Sequence, residues 1–348
     1  MLSSPHLSQP MNGLKDIVET RSFKAWLLDQ YGVLHDGKQP YPGAISTLKN
    51  LATVGAKIVI ISNSSRRAST TMEKLKGLGF DPSFFTGAIT SGELTHQSLQ
   101  RRDDPWFAAL GRRCIHITWK DRGAISLEGL DLNVVENVEE ADFVLAHGTE
   151  AIGLSSGGVS PTPLDELEKI LEKSAAKGLP MIVANPDYVT VEANVFHIMP
   201  GTLAAKYEEL GGEVKWMGKP HKMIYESAMA IAGVDNPEEA IAVGDSLHHD
   251  VKGANVAGIE SVFITGGIHG SELGLTSFDE TASLDSVKTL TAKHNAFPSY
   301  VDIRVSPGSH ADEHSVNKQL NDKERVVAAS ENPNLRQLVD ECTYSTEM

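Results

Sequence analysis

Five polar residues stand where they could share one reaction. Asp29 ends the apolar run Ala25-Trp26-Leu27-Leu28, Ser62 ends the run Lys57–Ile61, and Asp245 follows Ala240–Val243 by way of Gly244. Lys219 follows the short stretch Val214–Met217, and Asp250 lies five residues past Asp245. A buried strand that stops on one polar side chain delivers it to the carboxyl edge of a parallel sheet, where open α/β folds place their ligands. An unpaired carboxylate is costly to bury, so Asp29 requires a metal or a cation beside it. A carboxylate nucleophile attacking phosphorus needs Mg²⁺ to hold it beside an anionic substrate. Mg²⁺ takes oxygen ligands, typically one or two carboxylates with waters and the substrate phosphate. Asp29 and Asp245 fit those ligand roles. A hydroxyl such as Ser62 can hold a phosphoryl oxygen, and Lys219 can neutralise charge developing on phosphate and nucleophile.

The elements that must position these residues follow from periodicity. Apolar residues at Ile45, Leu48, Leu51 and Ala52 predict a helix over 44–54, closed by Gly55. A helix over 70–78 ends at Gly79, and another opens near Thr90-Ser91-Gly92-Glu93 with Ser91 as its cap. Strands are expected at 114–118, 143–146 and 181–184, with a helix over 163–177 between the last two. Asn185-Pro186-Asp187 closes the last of these strands with a turn. Further on, helices are expected over 202–210, 221–233 and 250–257, and a strand over 261–265 before Gly266-Gly267. The alternation is that of an α/β fold, a Rossmann-like doubly wound parallel sheet. The first unit is incomplete at residue 91 and its chemistry resumes only after Gly201. Residues 16–91 and 201–298 therefore read as one core domain and 92–200 as an inserted α/β cap domain. Residues 1–15 read as a disordered lead, and 299–348 as a disordered polar tail with a hint of helix at 334–341.

Composition bounds the partners. The 348 residues carry a formal net charge of −15, which disfavours nucleic acid and anionic membranes but allows a local pocket for one phosphate. Two cysteines, Cys114 and Cys342, lie too far apart in sequence to suggest a metal knuckle or a disulfide framework, and a reducing, cytoplasmic setting is the natural expectation, with an organelle still open. No apolar stretch approaches the ~18 residues of a membrane span.

With the motifs assembled, the chain resembles the haloacid dehalogenase superfamily of phosphotransferases. That family's first motif is an apolar strand followed by Asp-x-Asp-x-(Val/Thr), here Leu28-Asp29-Gln30-Tyr31-Gly32-Val33. The second is a strand ending in Ser/Thr, here Ile60-Ile61-Ser62-Asn63. The third is the lysine of Gly218-Lys219-Pro220, and the fourth is Gly244-Asp245-Ser246-Leu247-His248-His249-Asp250. The long gap between Ser62 and Lys219 fits subclass IIA, whose large α/β cap is inserted there. Asn185-Pro186-Asp187 and Pro200-Gly201-Thr202 resemble that subclass's signature turns. Its members include 4-nitrophenyl phosphatases and phosphatases of phosphoglycolate, pyridoxal phosphate and sugar phosphates. The resemblance implies Asp29 as nucleophile and Mg²⁺ ligand, with the backbone carbonyl of Tyr31 as a further ligand. It implies Ser62, Asn63 and Ser64 around the phosphoryl group, and Lys219 stabilising a phospho-aspartate. Asp245 would ligate Mg²⁺ directly, and Asp250 would support it from outside or through water. Asn185 and Asp187 would meet a small phosphorylated metabolite from the cap, and two copies would pair through that cap.

One position departs from the pattern. The family's phosphatases carry a second Asp two residues after the nucleophile, as acid for the leaving group and base for water. Here it is Tyr31, whose ordinary pKa near 10 makes it a poor base at neutral pH. Two readings therefore stand: a Mg²⁺-dependent phosphatase, or a catalytically weak protein that binds a phosphate ligand or regulates. Asp36 lies beyond the turn and is a poor substitute. His248 and His249 are expected on the surface at a helix start, and Cys114 in a strand core.

Overall fold

The computed structural model describes residues 9–11, 14–192, 195–275, 280 and 282–302. The chain divides into two compact units. One is built from residues up to Leu94 and from Gly218 onward, the other from Thr95–Met217. Among the described residues no helix is long and apolar enough to cross a membrane.

Among the described residues the first unit has seven strands: Gln9–Met11 (β1), Ala25–Leu28 (β2), Lys57–Ser62 (β3), Gly87–Thr90 (β4), Ala240–Gly244 (β5), Glu260–Ile264 (β6) and Tyr300–Asp302 (β7). All pairings are parallel, in the order β1-β7-β6-β5-β2-β3-β4. From β2 the chain proceeds to β3 and β4 on one side. On its return it lays β5, β6 and β7 on the other. The strand order thus reverses between β2 and β5, and an open α/β sheet binds ligands in the crevice at that reversal. β2 and β5 are buried along their whole length, as strands covered on both faces must be. Alternate residues Trp26, Leu28, Ile58, Ile60, Ile241 and Val243 pack with Leu48, Leu51 and Leu75 of the helices Ala44–Thr53 and Ala68–Gly77. Lys222–Ala232 buries Ile224, Tyr225 and Ala228 and packs on β2, β3 and β4.

The second unit has its own mixed sheet. Val214–Trp216, Met181–Val183, Phe143–Ala146 and Arg113–Thr118 run parallel; Ala151–Gly153 and Val159–Pro161 continue the sheet antiparallel. Leu167 and Leu171 of the helix Leu164–Ala176 and Leu203 and Tyr207 of the helix Pro200–Glu209 fill its core.

Four expectations are corrected here. The core does not resume at residue 201. Pro200–Glu209 packs into the second unit's core, and Val214–Trp216 pairs with Met181–Val183, so the boundary falls at Met217/Gly218. The expected lead at 1–15 contains β1, which pairs with β7, and its residues 1–8, 12 and 13 lie outside the described residues. The expected tail, 299–348, contains β7, and its residues from 303 on, with the helix hinted at 334–341, also lie outside them. Ser91 is not the cap of its helix. The Thr90 hydroxyl accepts the Glu93 amide at 2.9 Å, while Ser91 faces Asn63.

Candidate active site

β2, β5 and β3 are neighbours and finish level, because Leu28 pairs with Val243 on one side and Ile60 on the other. Asp29, Asp245 and Ser62 therefore leave the same edge at the reversal point. The Asp29 amide still donates to the Val243 carbonyl at 2.9 Å, so the ladder holds the backbone of Asp29. Past β5 the chain turns back on itself. The Val251 amide bonds the Ser246 carbonyl five residues back, and this wide turn carries Asp250 inward.

Asp29, Asp245 and Asp250 are all buried, and one carboxylate oxygen from each lies within 4.8 Å of the others. Lys219, 3% exposed, enters this group with Nζ 2.8 Å from Asp29 Oδ1 and 2.7 Å from Asp250 Oδ1. Asp250 Oδ2 accepts the Ser246 amide at 3.1 Å, so both its oxygens are committed to lysine and loop. Asp245 Oδ2 accepts the Ile268 amide at 2.7 Å. Gly32 and Gly267 bracket the same oxygen: a Cβ on either would fall 2.1 Å from it. Only glycine permits that approach, and at Gly32 the φ of 86° demands it again.

Burial raises the carboxyl of Asp29, and Asp250 adds to the rise while Lys219 opposes it. Burial likewise raises Asp245, reinforced by Asp29 and Asp250. Burial works to lower Lys219, but the carboxylates of Asp250 and Asp29 outweigh it and the ammonium is held well above its ordinary value. Fully ionised, the three buried carboxylates would outnumber the one lysine by two charges; burial resists that state, and one divalent cation would supply the balance. The donors are all oxygen, the set a hard ion such as Mg²⁺ prefers.

The Ser62 hydroxyl accepts from Gln30 Nε2 at 2.9 Å and from the Ser64 amide at 3.3 Å. His35, fully buried, backs Gln30 at 3.5 Å. Burial, then the charge of Lys74, lowers His35 to about 4, so it serves this site as a neutral ring. Its Nδ1 accepts the Gly37 amide at 2.9 Å. The Asn63 carboxamide is spent on Lys219: Oδ1 accepts the lysine's amide at 2.8 Å and Nδ2 donates to its carbonyl at 3.3 Å. Asn63's side chain thus positions the lysine through both of its backbone polar groups. The Ser64 hydroxyl closes a turn onto the Arg66 amide at 3.3 Å.

Tyr31 is 50% exposed and its ring lies edge-on to His35 at 6.1 Å. The Tyr31–Gly32 peptide runs beside Asp245, where Gly32 makes its close approach. Asp36 caps its own turn, accepting the amides of Lys38 and Gln39 at 2.8 Å each. Asn185 and Asp187 belong to the second unit, on the turn after Met181–Val183. There the buried Asn185 Oδ1 accepts the Asp187 amide at 2.9 Å.

Sequence reasoning missed Gln30, Ile268 and Tyr41. Gln30 was legible in principle, as the polar residue next to Asp29. The Ile268 contact is a backbone amide and leaves only the preceding Gly266-Gly267 as a signal. Burial, then Asp245 and Tyr31, raises the Tyr41 hydroxyl. His248 and His249 are not plain surface. His248 lies among the rings of His249, His269 and His294, and burial lowers it well below the ordinary histidine value.

Residues 26–132 match the model of a haloacid dehalogenase-like hydrolase domain and residues 216–290 that of a HAD-hydrolase-like domain, together more than half of the chain. The chain belongs to the haloacid dehalogenase-like hydrolases. Over 251 residues it is 25% identical to a 4-nitrophenylphosphatase of Schizosaccharomyces pombe, covering 68% of this chain and 82% of that protein. A haloacid dehalogenase-like hydrolase from Brucella suis superposes with a TM-score of 0.62 at 28% identity, covering 75% of this chain and 92% of the other. A separate likeness is short: 48 residues, 14% of the chain, are 90% identical to Protein AE7-like 1 of Arabidopsis thaliana and span 31% of that protein. The chain spans 30–47% of the length of the first curated relatives it matches.

Proposed function

We propose that this hydrolase removes the phosphoryl group of a small phosphomonoester in a Mg²⁺-dependent reaction that passes through a phosphorylated Asp29. The observation that carries the reading is the charge deficit at the strand-order reversal, where Asp29, Asp245 and Asp250 face a single lysine. Asp29, Asp245 and the Tyr31 carbonyl would hold the ion, with Asp250 behind them. When bound it would neutralise the phosphoryl oxygens and hold them beside the nucleophile. The Asp29 carboxylate forms the new P–O bond as the ester P–O bond breaks, and the electron pair leaves on the ester oxygen. Ser62, oriented by Gln30, donates its hydroxyl to a phosphoryl oxygen. Lys219 neutralises charge on the transferring group and on Asp29. Water then attacks phosphorus, the acyl-phosphate P–O bond breaks, and the Asp29 carboxylate is regenerated.

Tyr31 stands where the family carries the carboxyl group that serves as acid and base, and its phenol is a poor base at neutral pH; in this reading the proton for the leaving oxygen comes from solvent or from the substrate. Proton transfer by a positioned group is worth roughly 10²–10⁴-fold. The reaction is therefore fastest on esters whose leaving group needs no proton. The same substitution favours a second reading, a protein that binds a phosphate ligand with little turnover.

The test is a panel of phosphomonoesters with and without Mg²⁺, run on wild type, Asp29→Asn and Tyr31→Asp. Mg²⁺-dependent hydrolysis that vanishes in Asp29→Asn supports the enzyme. A silent wild type with an active Tyr31→Asp favours the binding reading, and activity kept by Asp29→Asn refutes the nucleophile.

A further inference from the structure

The loop that carries Asp245 is held at two points by the turn 266–269. Ile268's amide donates to the Asp245 carboxylate. The next residue, His269, receives at Nε2 the amide of Leu247, two residues past Asp245, at 3.2 Å. A ring nitrogen that accepts is the unprotonated one, so the imidazole proton sits on Nδ1. That proton is donated to Glu272 Oε1 at 2.7 Å. Glu272 is anchored by Lys293 at 3.0 Å from its other oxygen, and the hydrogen bond from His269, ahead of that from Lys293, lowers its carboxyl to about 2. Lys293 ends the helix Leu284–Lys293, which packs through Val287 and Leu290 onto Leu247, Val251 and Phe263.

A chain of directed contacts thus runs from this helix to Asp245: Lys293, Glu272, His269, the Leu247 amide. The cluster of His269, Glu272 and His294 brings three potential donor atoms within 4.8 Å of one another. It is nonetheless a poor cation site. His269 has both nitrogens engaged in complementary bonds, and an ammonium already neutralises Glu272. The arrangement is that of a carboxylate–histidine pair, which fixes one tautomer and through it an outer contact of a metal-binding group.

We propose that His269 and Glu272 are positioning residues for Asp245: they lock the 245–247 loop so that its carboxylate is preset for the divalent ion. The proposal rests on the reading of Asp245 as a metal ligand. His269 touches neither substrate nor reacting atoms, and it acts only through the loop. Its removal therefore weakens the ion rather than the chemistry.

Calorimetric titration of the full chain with MgCl₂ tests this without relying on turnover. Outer contacts of this kind typically change metal affinity by 10–100-fold. His269→Ala should raise the Mg²⁺ dissociation constant about tenfold or more, and saturating Mg²⁺ should restore kcat. His269→Gln should stay within about threefold of wild type, because its amide oxygen can accept the Leu247 N–H and its NH₂ can donate to Glu272. Glu272→Ala, on the exposed end of the relay, should shift Mg²⁺ affinity in the same direction as His269→Ala and so reports even if that variant is unstable. Asp245→Asn is the reference and should abolish Mg²⁺ binding. If it does not, the metal site itself is wrongly assigned. If Asp245→Asn abolishes binding while His269→Ala and Glu272→Ala leave it unchanged, or if Gln and Ala at 269 are equally harmful, the positioning role is overturned and the metal site stands.

Discussion

Replacing Lys219 by methionine removes one charge from between two buried carboxylates and keeps most of the side chain's volume. The ammonium lies 2.8 Å from Asp29 and 2.7 Å from Asp250. At an effective dielectric constant of 20, each contact is worth about 6 kcal/mol of direct attraction. Desolvation of the three ions, several kcal/mol each, and repulsion between the two carboxylates offset most of that sum. What remains is the loss on deleting one partner, about 3–5 kcal/mol, because the other charges stay buried and unpaired. For a unit of this size that is a fall in melting temperature of roughly 10 °C. The assay is thermal unfolding by calorimetry at pH 7.5 in chelator, for Lys219→Met, Asp250→Asn and the double variant. The double variant should recover part of the loss, since one carboxylate charge leaves with the lysine. The pH dependence has a definite sign. A carboxyl raised in the folded state, as burial raises Asp29, favours folding below its unfolded pKa and loses that contribution as pH rises through the folded value. The deficit of Lys219→Met should therefore be smaller at pH 5 than at pH 8. A melting shift of under about 2 °C at pH 7.5, or a deficit that grows toward pH 5, refutes the reasoning.

Gly267→Ala places a Cβ 2.1 Å from Asp245 Oδ2, so the carboxylate has to move, and Mg²⁺-dependent activity should fall about 10²-fold with little change in overall fold by circular dichroism. Wild type should show a steep dependence on leaving-group acidity, with aryl esters at least about 10²-fold faster in kcat/KM than alkyl esters, and Tyr31→Asp should flatten that dependence. In the second unit, Asp142 accepts the amides of Arg112 and Arg113 and the Arg113 guanidinium, and the side-chain bond from Arg113, the largest cause, lowers it to about 2. Because the folded value lies below the unfolded one, this contribution is present above about pH 4 and fades as pH falls toward 2. Partial exposure limits it to about 1 kcal/mol, read as the difference between wild type and Asp142→Asn in denaturant melts at pH 7 and pH 3.

The strands that carry the candidate site were legible because β2, β3 and β5 each hold four consecutive apolar residues and each leads into a polar residue within two positions. That pattern needs no partner to be read. The bracket around Asp245 was not legible. Ile268 contributes only its backbone, and the tautomer of His269 depends on Leu247 and Glu272, which no local pattern links. The boundary at Met217 was missed because Val214–Trp216 is three residues long and nothing in it indicates which sheet it joins. β4, with the sequence Gly-Ala-Ile-Thr, carries too little periodicity to stand out, although Thr90 at its end caps the following helix. The commitment of Asn63 to Lys219 was equally hidden, since it joins residues on either side of the second unit.

The central claim is that Asp29 becomes phosphorylated, and the direct measurement is mass spectrometry of acid-quenched protein after brief exposure to 4-nitrophenyl phosphate and Mg²⁺. With no base at position 31 to hasten hydrolysis, the phosphorylated form should accumulate. One phosphoryl mass should appear on the peptide that contains Asp29 and be absent from Asp29→Asn. Steady hydrolysis with no phosphoryl group on that peptide, or the same mass gain in Asp29→Asn, would contradict the account.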